Sequence, residues 1–208
     1  MTIKALPPEV TAQIAAGEVV ERPASVVKEL LENALDAGAT SVQVEVRDGG
    51  QRLIQVADDG CGIPAEEVVL AFGRHTTSKL ERGEDLYNIR TLGFRGEALA
   101  SIAAVARVTM TTRAREAAAG HMVRFEGGEL ILQQPCARPA GTTVQVENLF
   151  YNLPARRKFL KAESTEQGHI LNLLIAYALA YPGVRFGLLM NGREALRTTG
   201  QGRWEEAL

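Results

Sequence analysis

From Pro23 to Gly38 the apolar residues Val26, Val27, Leu30, Leu31, Ala34 and Leu35 recur with helical period and cover roughly half of a helical wheel. Pro23 suits a first turn and Gly38 suits the stop. Lys28, Glu29, Glu32, Asn33 and Asp36 fill the remaining circumference. Asn33 lies about 20° from Val26, and Glu29 sits one turn earlier, so a carboxylate and a carboxamide share one line at the margin of the apolar face. The pattern predicts a buried helix with a polar edge. Ahead of it, PPEVTAQIAAG reads as a short first helix behind a flexible arm, the two together spanning residues 1–17.

After Gly38 the period falls to two. Val42, Val44 and Val46 alternate with Gln43, Glu45 and Arg47, Asp48-Gly49-Gly50-Gln51 turns the chain, and Leu53, Ile54 and Val56 return as a second strand. This hairpin runs into Asp58-Asp59-Gly60-Cys61-Gly62-Ile63, after which Pro64 to Phe72 predicts another short helix. Residues 73–96 are loop-like, and a connection of that length in a compact domain reads as a lid or a disordered segment. Glu97 to Ala106 predicts a buried helix. Strands follow at Arg107 to Thr112, Met122 to Glu126, Glu129 to Gln133 and Thr142 to Glu147. Beyond the basic FYNLPARRKFLK segment, a long helix spans about Glu166 to Tyr181, and two short strands flank Asn191-Gly192. Strands and helices mix without regular βαβ alternation. The fold expected is α+β, a two-layer α/β sandwich in one domain over residues 1–208.

Composition narrows the function classes. A formal net charge of -2 gives no global pull toward nucleic acid, so any such contact needs a local patch. Neither a signal peptide nor a membrane-length apolar run is present, which suggests an intracellular protein. Cys61 and Cys136 lie far apart without CxxC spacing, and His75, His121 and His169 form no metal-ligand pattern.

There is no GxxxxGK[ST] loop and no GxGxxG behind a first strand. Gly93-Phe94-Arg95-Gly96-Glu97-Ala98-Leu99 does place a glycine pair before a helix start, where exposed N–H groups and the helix dipole favour phosphate oxygens. A plain helix-capping loop has the same sequence, and these residues alone leave the two open. Asp58 at a strand end can accept from an exocyclic amine, or close an Asx turn. Glu29 can orient or deprotonate a water, and Asn33 can offer a neutral oxygen to Mg²⁺ whose charge phosphates balance.

Taken in order, E-x-x-x-N, D-x-G-x-G, a G-x-x-G lid and a G-T-T strand start resemble the ATPase superfamily of DNA gyrase, the large heat-shock chaperone, histidine kinases and MutL. QIAAGEVVERPASVVKELLENALDAGA, DDGCGI, RHTTSK, LGFRGEALASI, GTTV and FYNLPARRKFLK resemble the MutL family of DNA mismatch repair proteins in particular. The resemblance implies a Bergerat-type fold, with a mixed, mostly antiparallel sheet covered by helices on one face. It makes Glu29 the general base and Asn33 the magnesium ligand. Asp58 would bond the adenine amino group, with Gly62 and Thr143 lining its pocket. Thr77, Ser78 and Lys79 would border the nucleotide in the lid, and Gly93, Arg95, Gly96, Glu97, Ala98 and Leu99 would wrap the phosphates.

By the same resemblance the cofactors are ATP and Mg²⁺, and the function is a nucleotide-driven switch coupling mismatch recognition to downstream repair. The partners implied are a second copy, through ATP-promoted N-terminal closure, a mismatch-recognition protein, and a repair endonuclease or helicase. DNA contact is expected mainly outside this segment, in a bacterial cytoplasmic protein. The family's second ATPase subdomain, with its γ-phosphate lysine, and its C-terminal dimerisation region are not in these 208 residues, so weak ATPase activity is expected from them alone. A nucleotide-binding interaction scaffold is the alternative, and histidine phosphorylation a third, disfavoured because no separate histidine-bearing dimer helix is evident. Asp59 departs from the asparagine common in the family, and a modest effect is expected from it.

Overall fold

A computed structural model describes residues 16–17, 19–74, 76, 92–93 and 96–202. The elements are α1 (Pro23–Asp36), β1 (Ser41–Arg47), β2 (Leu53–Asp58), α2 (Ala98–Val105), β3 (Arg107–Arg113), β4 (Gly120–Glu126), β5 (Glu129–Cys136), β6 (Gly141–Glu147), α3 (Pro154–Phe159), α4 (Glu163–Ala180), β7 (Arg185–Met190) and β8 (Arg193–Arg197). The described strands form one sheet in the order β5-β4-β3-β6-β2-β1-β7-β8. Among them β1 and β7 run parallel, and every other neighbouring pair is antiparallel.

Register explains why one face is dry. Val44 pairs with Val56 and Leu188, Val56 with Val144, Val144 with Met110, and Met110 with Val123. Paired residues share a face, so these rows build one apolar surface across six strands. Val26, Val27, Leu30 and Leu31 of α1, Ile102 of α2, and Ile170 and Leu174 of α4 complete the same core. The opposite face is polar, with Gln145 donating to Gln55 at 2.6 Å. The mixed sheet and single helical layer agree with the expected architecture. The first helix and the body of the lid lie largely outside the described residues.

Pro64 to Phe72 is not a regular helix but a run of turns ending in a 3₁₀ turn at Leu70–Phe72. Its ends are held by side chains: Ile63 N–H donates to Thr112 Oγ1 at 2.9 Å, and Thr76 Oγ1 donates to the carbonyls of Leu70 and Gly73. Phe72 stacks on Phe125 with ring centroids 4.2 Å apart. With both ends fixed across so short a stretch, the tighter helix is the one that fits.

Helix α4 starts at Glu163, one turn before the expected Glu166, and the buried Glu166 carboxylate accepts the Lys161 N–H of the preceding chain at 3.1 Å. Glu32 departs from its place on a polar edge. It is 7% exposed, accepts the Tyr177 hydroxyl of α4 at 2.7 Å and pairs with Lys28 at 3.1 Å. Burial, then the hydrogen bond and charge of Glu32, push the Tyr177 hydroxyl well above its usual pKa. Two helices are thereby cross-linked beside Glu29.

Candidate functional site

The C-terminal end of α1 is where separated motifs meet. Glu29 and Asn33 are half-buried on α1, i and i+4, with Cβ atoms about 6 Å apart in that geometry. Three residues on, both oxygens of Asp36 are engaged: Oδ1 accepts the Leu92 N–H at 2.9 Å and Oδ2 accepts the Gly93 N–H at 3.1 Å. The Ala37 carbonyl accepts the Cys61 N–H at 3.0 Å. A Cβ built on Gly60 would lie 2.8 Å from Ala37 Cβ, so glycine is what allows the D-x-G-x-G loop to rest on the helix end.

Asp58 closes β2, and its Oδ1 accepts the N–H groups of Gly60 at 2.9 Å and Thr142 at 3.2 Å. The Asx-type turn anticipated from sequence is therefore real, and it occupies one carboxylate oxygen. Burial raises the Asp58 pKa above the ordinary range, against the lowering pull of those two N–H groups and of the Arg138 guanidinium. Asp59 points elsewhere. It accepts the Thr40 N–H at 2.7 Å, the Thr40 hydroxyl at 2.6 Å and the Ser41 N–H at 2.9 Å. Its slight burial would raise its pKa, but these hydrogen bonds outweigh that and hold it low. The unusual carboxylate is thus a strand anchor for β1.

Strand alternation separates two neighbouring threonines. Asp58 pairs with Val42 and Thr142, and Thr142 with Thr112, whereas Thr143 pairs with Ala57 and Thr111. Thr142 shares the face of Asp58, and Thr143 lies on the opposite face. Thr112, fully buried, donates to the Gly141 carbonyl at 3.2 Å and lies 3.0 Å from the Thr142 hydroxyl. The Asp58 site thus holds Thr142 and Thr112, neither of which the motif reading singled out. Gly62 has a φ of +71°, and a Cβ there would sit 2.0 Å from the Arg113 carbonyl oxygen.

Gly93 is bonded to Asp36, Gly96 lies against Thr76, and Glu97 precedes α2, its carbonyl accepting the Ser101 N–H at 2.8 Å. Ala98 and Leu99 form the first turn of α2. Thr77, Ser78, Lys79 and Arg95 lie outside the described residues. In the basic segment, Arg156 donates to the Val20 carbonyl at 2.9 Å, so that guanidinium ties α3 to the chain before α1. Arg157 and Lys158 line a surface cleft with Gln51, Tyr151 and Pro154, at the far end of β2 from Asp58. No group of three or more His, Cys, Asp or Glu suited to a metal occurs among the described residues.

Residues 21–129 match the model of the histidine kinase-, DNA gyrase B- and HSP90-like ATPase family, over half of the chain. The solved Aquifex aeolicus MutL ATPase domain complexed with ADP is 38% identical, with a TM-score of 0.71, covering 91% of this chain and 69% of that one. The chain belongs to the MutL family. MutL of Halothermothrix orenii is 50% identical over 201 residues, and MutL of Anaeromyxobacter sp. strain K is 57% identical over 194. These alignments take in 97% and 93% of this chain but 31% and 32% of those proteins. The chain thus spans about a third of the length of the MutL relatives it matches. No described helix is long and apolar enough to cross a membrane.

Proposed function

We propose that this chain is the N-terminal nucleotide-binding part of a MutL mismatch repair protein, binding ATP with Mg²⁺ and hydrolysing it to drive a conformational switch. The observation that carries this reading is the convergence on the end of α1. Asn33 and Glu29 lie on the helix, the Asp58 loop rests on Ala37, and the Leu92-Gly93 pair is held by Asp36. Adenine, metal and phosphate functions, distant in sequence, then fall around one helix end.

Asp58 accepts the exocyclic amine of adenine through its second oxygen, with Thr142 beside it. The first turn of α2 faces phosphate oxygens with N–H groups and a favourable dipole. A neutral amide oxygen on α1 suits a cation whose charge the nucleotide's own phosphates balance. Asn33 would hold Mg²⁺, which neutralises phosphate charge when bound. Glu29 positions the attacking water and takes its proton. Turnover by these 208 residues is weak, because the family's γ-phosphate lysine belongs to the next subdomain. Closure of two copies, delivery of mismatch recognition to a nuclease or helicase, and DNA contact belong to the whole MutL protein.

Isothermal titration with ADP and ATP, with and without Mg²⁺, tests the reading. Asn33→Ala is expected to weaken the magnesium-nucleotide complex about 10-fold while leaving metal-free ADP binding nearly unchanged. Equal affinities with and without magnesium in both proteins would remove Asn33 from the metal.

Asp58→Asn is expected to lower the preference for ATP over GTP by about 10- to 100-fold, the worth of a hydrogen bond to a charged group. Acidity supplies a second readout. The carboxylate is the form that accepts from the amine, so affinity falls as the pH drops through the raised Asp58 pKa, earlier than for an ordinary aspartate. Its contribution to folding has the opposite sign. A folded pKa above the unfolded one stabilises most below the unfolded value and is lost as the pH rises through the folded value. Calorimetry of wild type and Asp58→Asn across the acidic range checks both, and parallel profiles would return Asp58 to its turn alone.

A further inference from the structure

The structure assigns to Asp36 a positioning role in nucleotide binding: its carboxylate fixes the start of the phosphate loop to the helix that carries Glu29 and Asn33. This role deepens the proposed nucleotide site and rests on that reading. The observation is a two-point contact, Leu92 N–H to Oδ1 at 2.9 Å and Gly93 N–H to Oδ2 at 3.1 Å. Two consecutive backbone N–H groups that both reach one anionic group are donors of the kind that can also take a phosphate or sulfate. Here the protein supplies its own anion, one oxygen per donor, in charge-assisted bonds about twice as strong as neutral ones.

The consequence is geometric. Asp36 is one turn beyond Asn33 and two beyond Glu29, all on a helix packed into the core through Val26, Val27, Leu30 and Leu31. Gly93 begins the G-F-R-G segment, and α2 starts at Ala98. The Asp36 contact thus places one end of that short segment, while α2, whose Ile102 to Val105 are buried, places the other. A loop held at both ends presents its donors to phosphates at a smaller entropic cost on binding. Asp36 also withdraws the Leu92 and Gly93 N–H groups from phosphate binding, leaving that task to Gly96 and the first turn of α2. In this role the residue acts through the loop it holds.

The role makes a distinction that a purely structural residue does not. Adenosine uses the Asp58 side of the site only, whereas ADP uses both sides. In Asp36→Asn the amide keeps one acceptor but turns its NH₂ toward a backbone N–H. Titration of the 208-residue chain is expected to show ADP weakened by about 10-fold or more and adenosine by less than about 2-fold, with a melting temperature close to wild type. Amide hydrogen exchange at Leu92 and Gly93 is expected to accelerate in the same variant, with or without nucleotide.

Equal weakening of adenosine and ADP overturns the positioning role, since the damage then lies in the fold as a whole. Unchanged ADP affinity with unchanged exchange overturns it as well. Should Asp36→Asn fail to fold, Asp36→Ser, which keeps a short acceptor, is read in the same way, and failure of both to fold makes Asp36 a folding residue and ends the proposal. If the wild-type chain binds neither ligand, the nucleotide reading itself falls, and the role falls with it. Wild-type binding of both ligands without the ADP-selective loss sinks the Asp36 role alone.

Discussion

Glu29→Gln is expected to leave ADP and ATP affinity nearly unchanged while lowering the hydrolysis rate by about 10²- to 10⁴-fold, the usual worth of a positioned general base. In the proposed role the carboxylate would act on a water that becomes a nucleophile only in the transition state, so its removal would belong in kcat and not in binding. Its surroundings favour that role. Glu29 is half-buried on a helix whose far side is locked into the core, and the Glu32–Tyr177 bond fixes α1 against α4 within a turn of it. A general base on such a helix keeps its place when the nucleotide arrives. Glutamine retains the shape and polarity but cannot take the proton. Single-turnover hydrolysis with saturating nucleotide separates the steps, and a loss of affinity that matches the loss of rate would move Glu29 from base to nucleotide contact.

The elements were legible because each obeys one period. Alternating Val42, Val44 and Val46 predicted β1, and the i, i+3, i+4 pattern predicted α1 to within its C-terminal turn. Polar residues with tertiary partners were the ones misplaced. Glu32 follows the charged positions of the wheel, yet its partner is Tyr177, 145 residues away, which no local pattern encodes. Glu166 was read as the start of a helix, whereas it lies in the first turn and its carboxylate ties the helix to the chain before it through the Lys161 N–H. The threonine beside Asp58 depended on register. Thr142 and Thr143 are equivalent to motif reading, but the pairing of Asp58 with Thr142 decides which one shares its face. Asp36 left no sequence signal beyond its nearness to Asn33, because the N–H groups it holds lie 56 and 57 residues further on.

Gly62→Ala is expected to destabilise the fold by about 3 kcal/mol or more and to abolish nucleotide binding, whereas Gly192→Ala costs about 1 kcal/mol and leaves binding intact. The two positions isolate the cause. Both have left-handed backbone, φ +71° at Gly62 and +77° at Gly192, so both variants carry the same strain of an L side chain in that region. Around Gly192 nothing lies within 4 Å of the added Cβ, which enters solvent at the β7–β8 turn. At Gly62 the same atom would lie 2.0 Å from the Arg113 carbonyl oxygen and 2.9 Å from the Ala114 nitrogen. Those are backbone atoms at the end of β3, and they cannot turn aside as a flexible side chain does. Relief requires the D-G-C-G loop to lift off the sheet, which pulls on the Ile63 N–H bond to Thr112 and the Cys61 N–H bond to Ala37. Asp58, four residues earlier, then loses the Gly60 N–H that orients its carboxylate. Urea melts of both variants beside wild type, with ADP titration of each, measure the difference. Equal midpoints would show that the loop accommodates a Cβ, and that its contact with β3 is not what holds the loop behind Asp58.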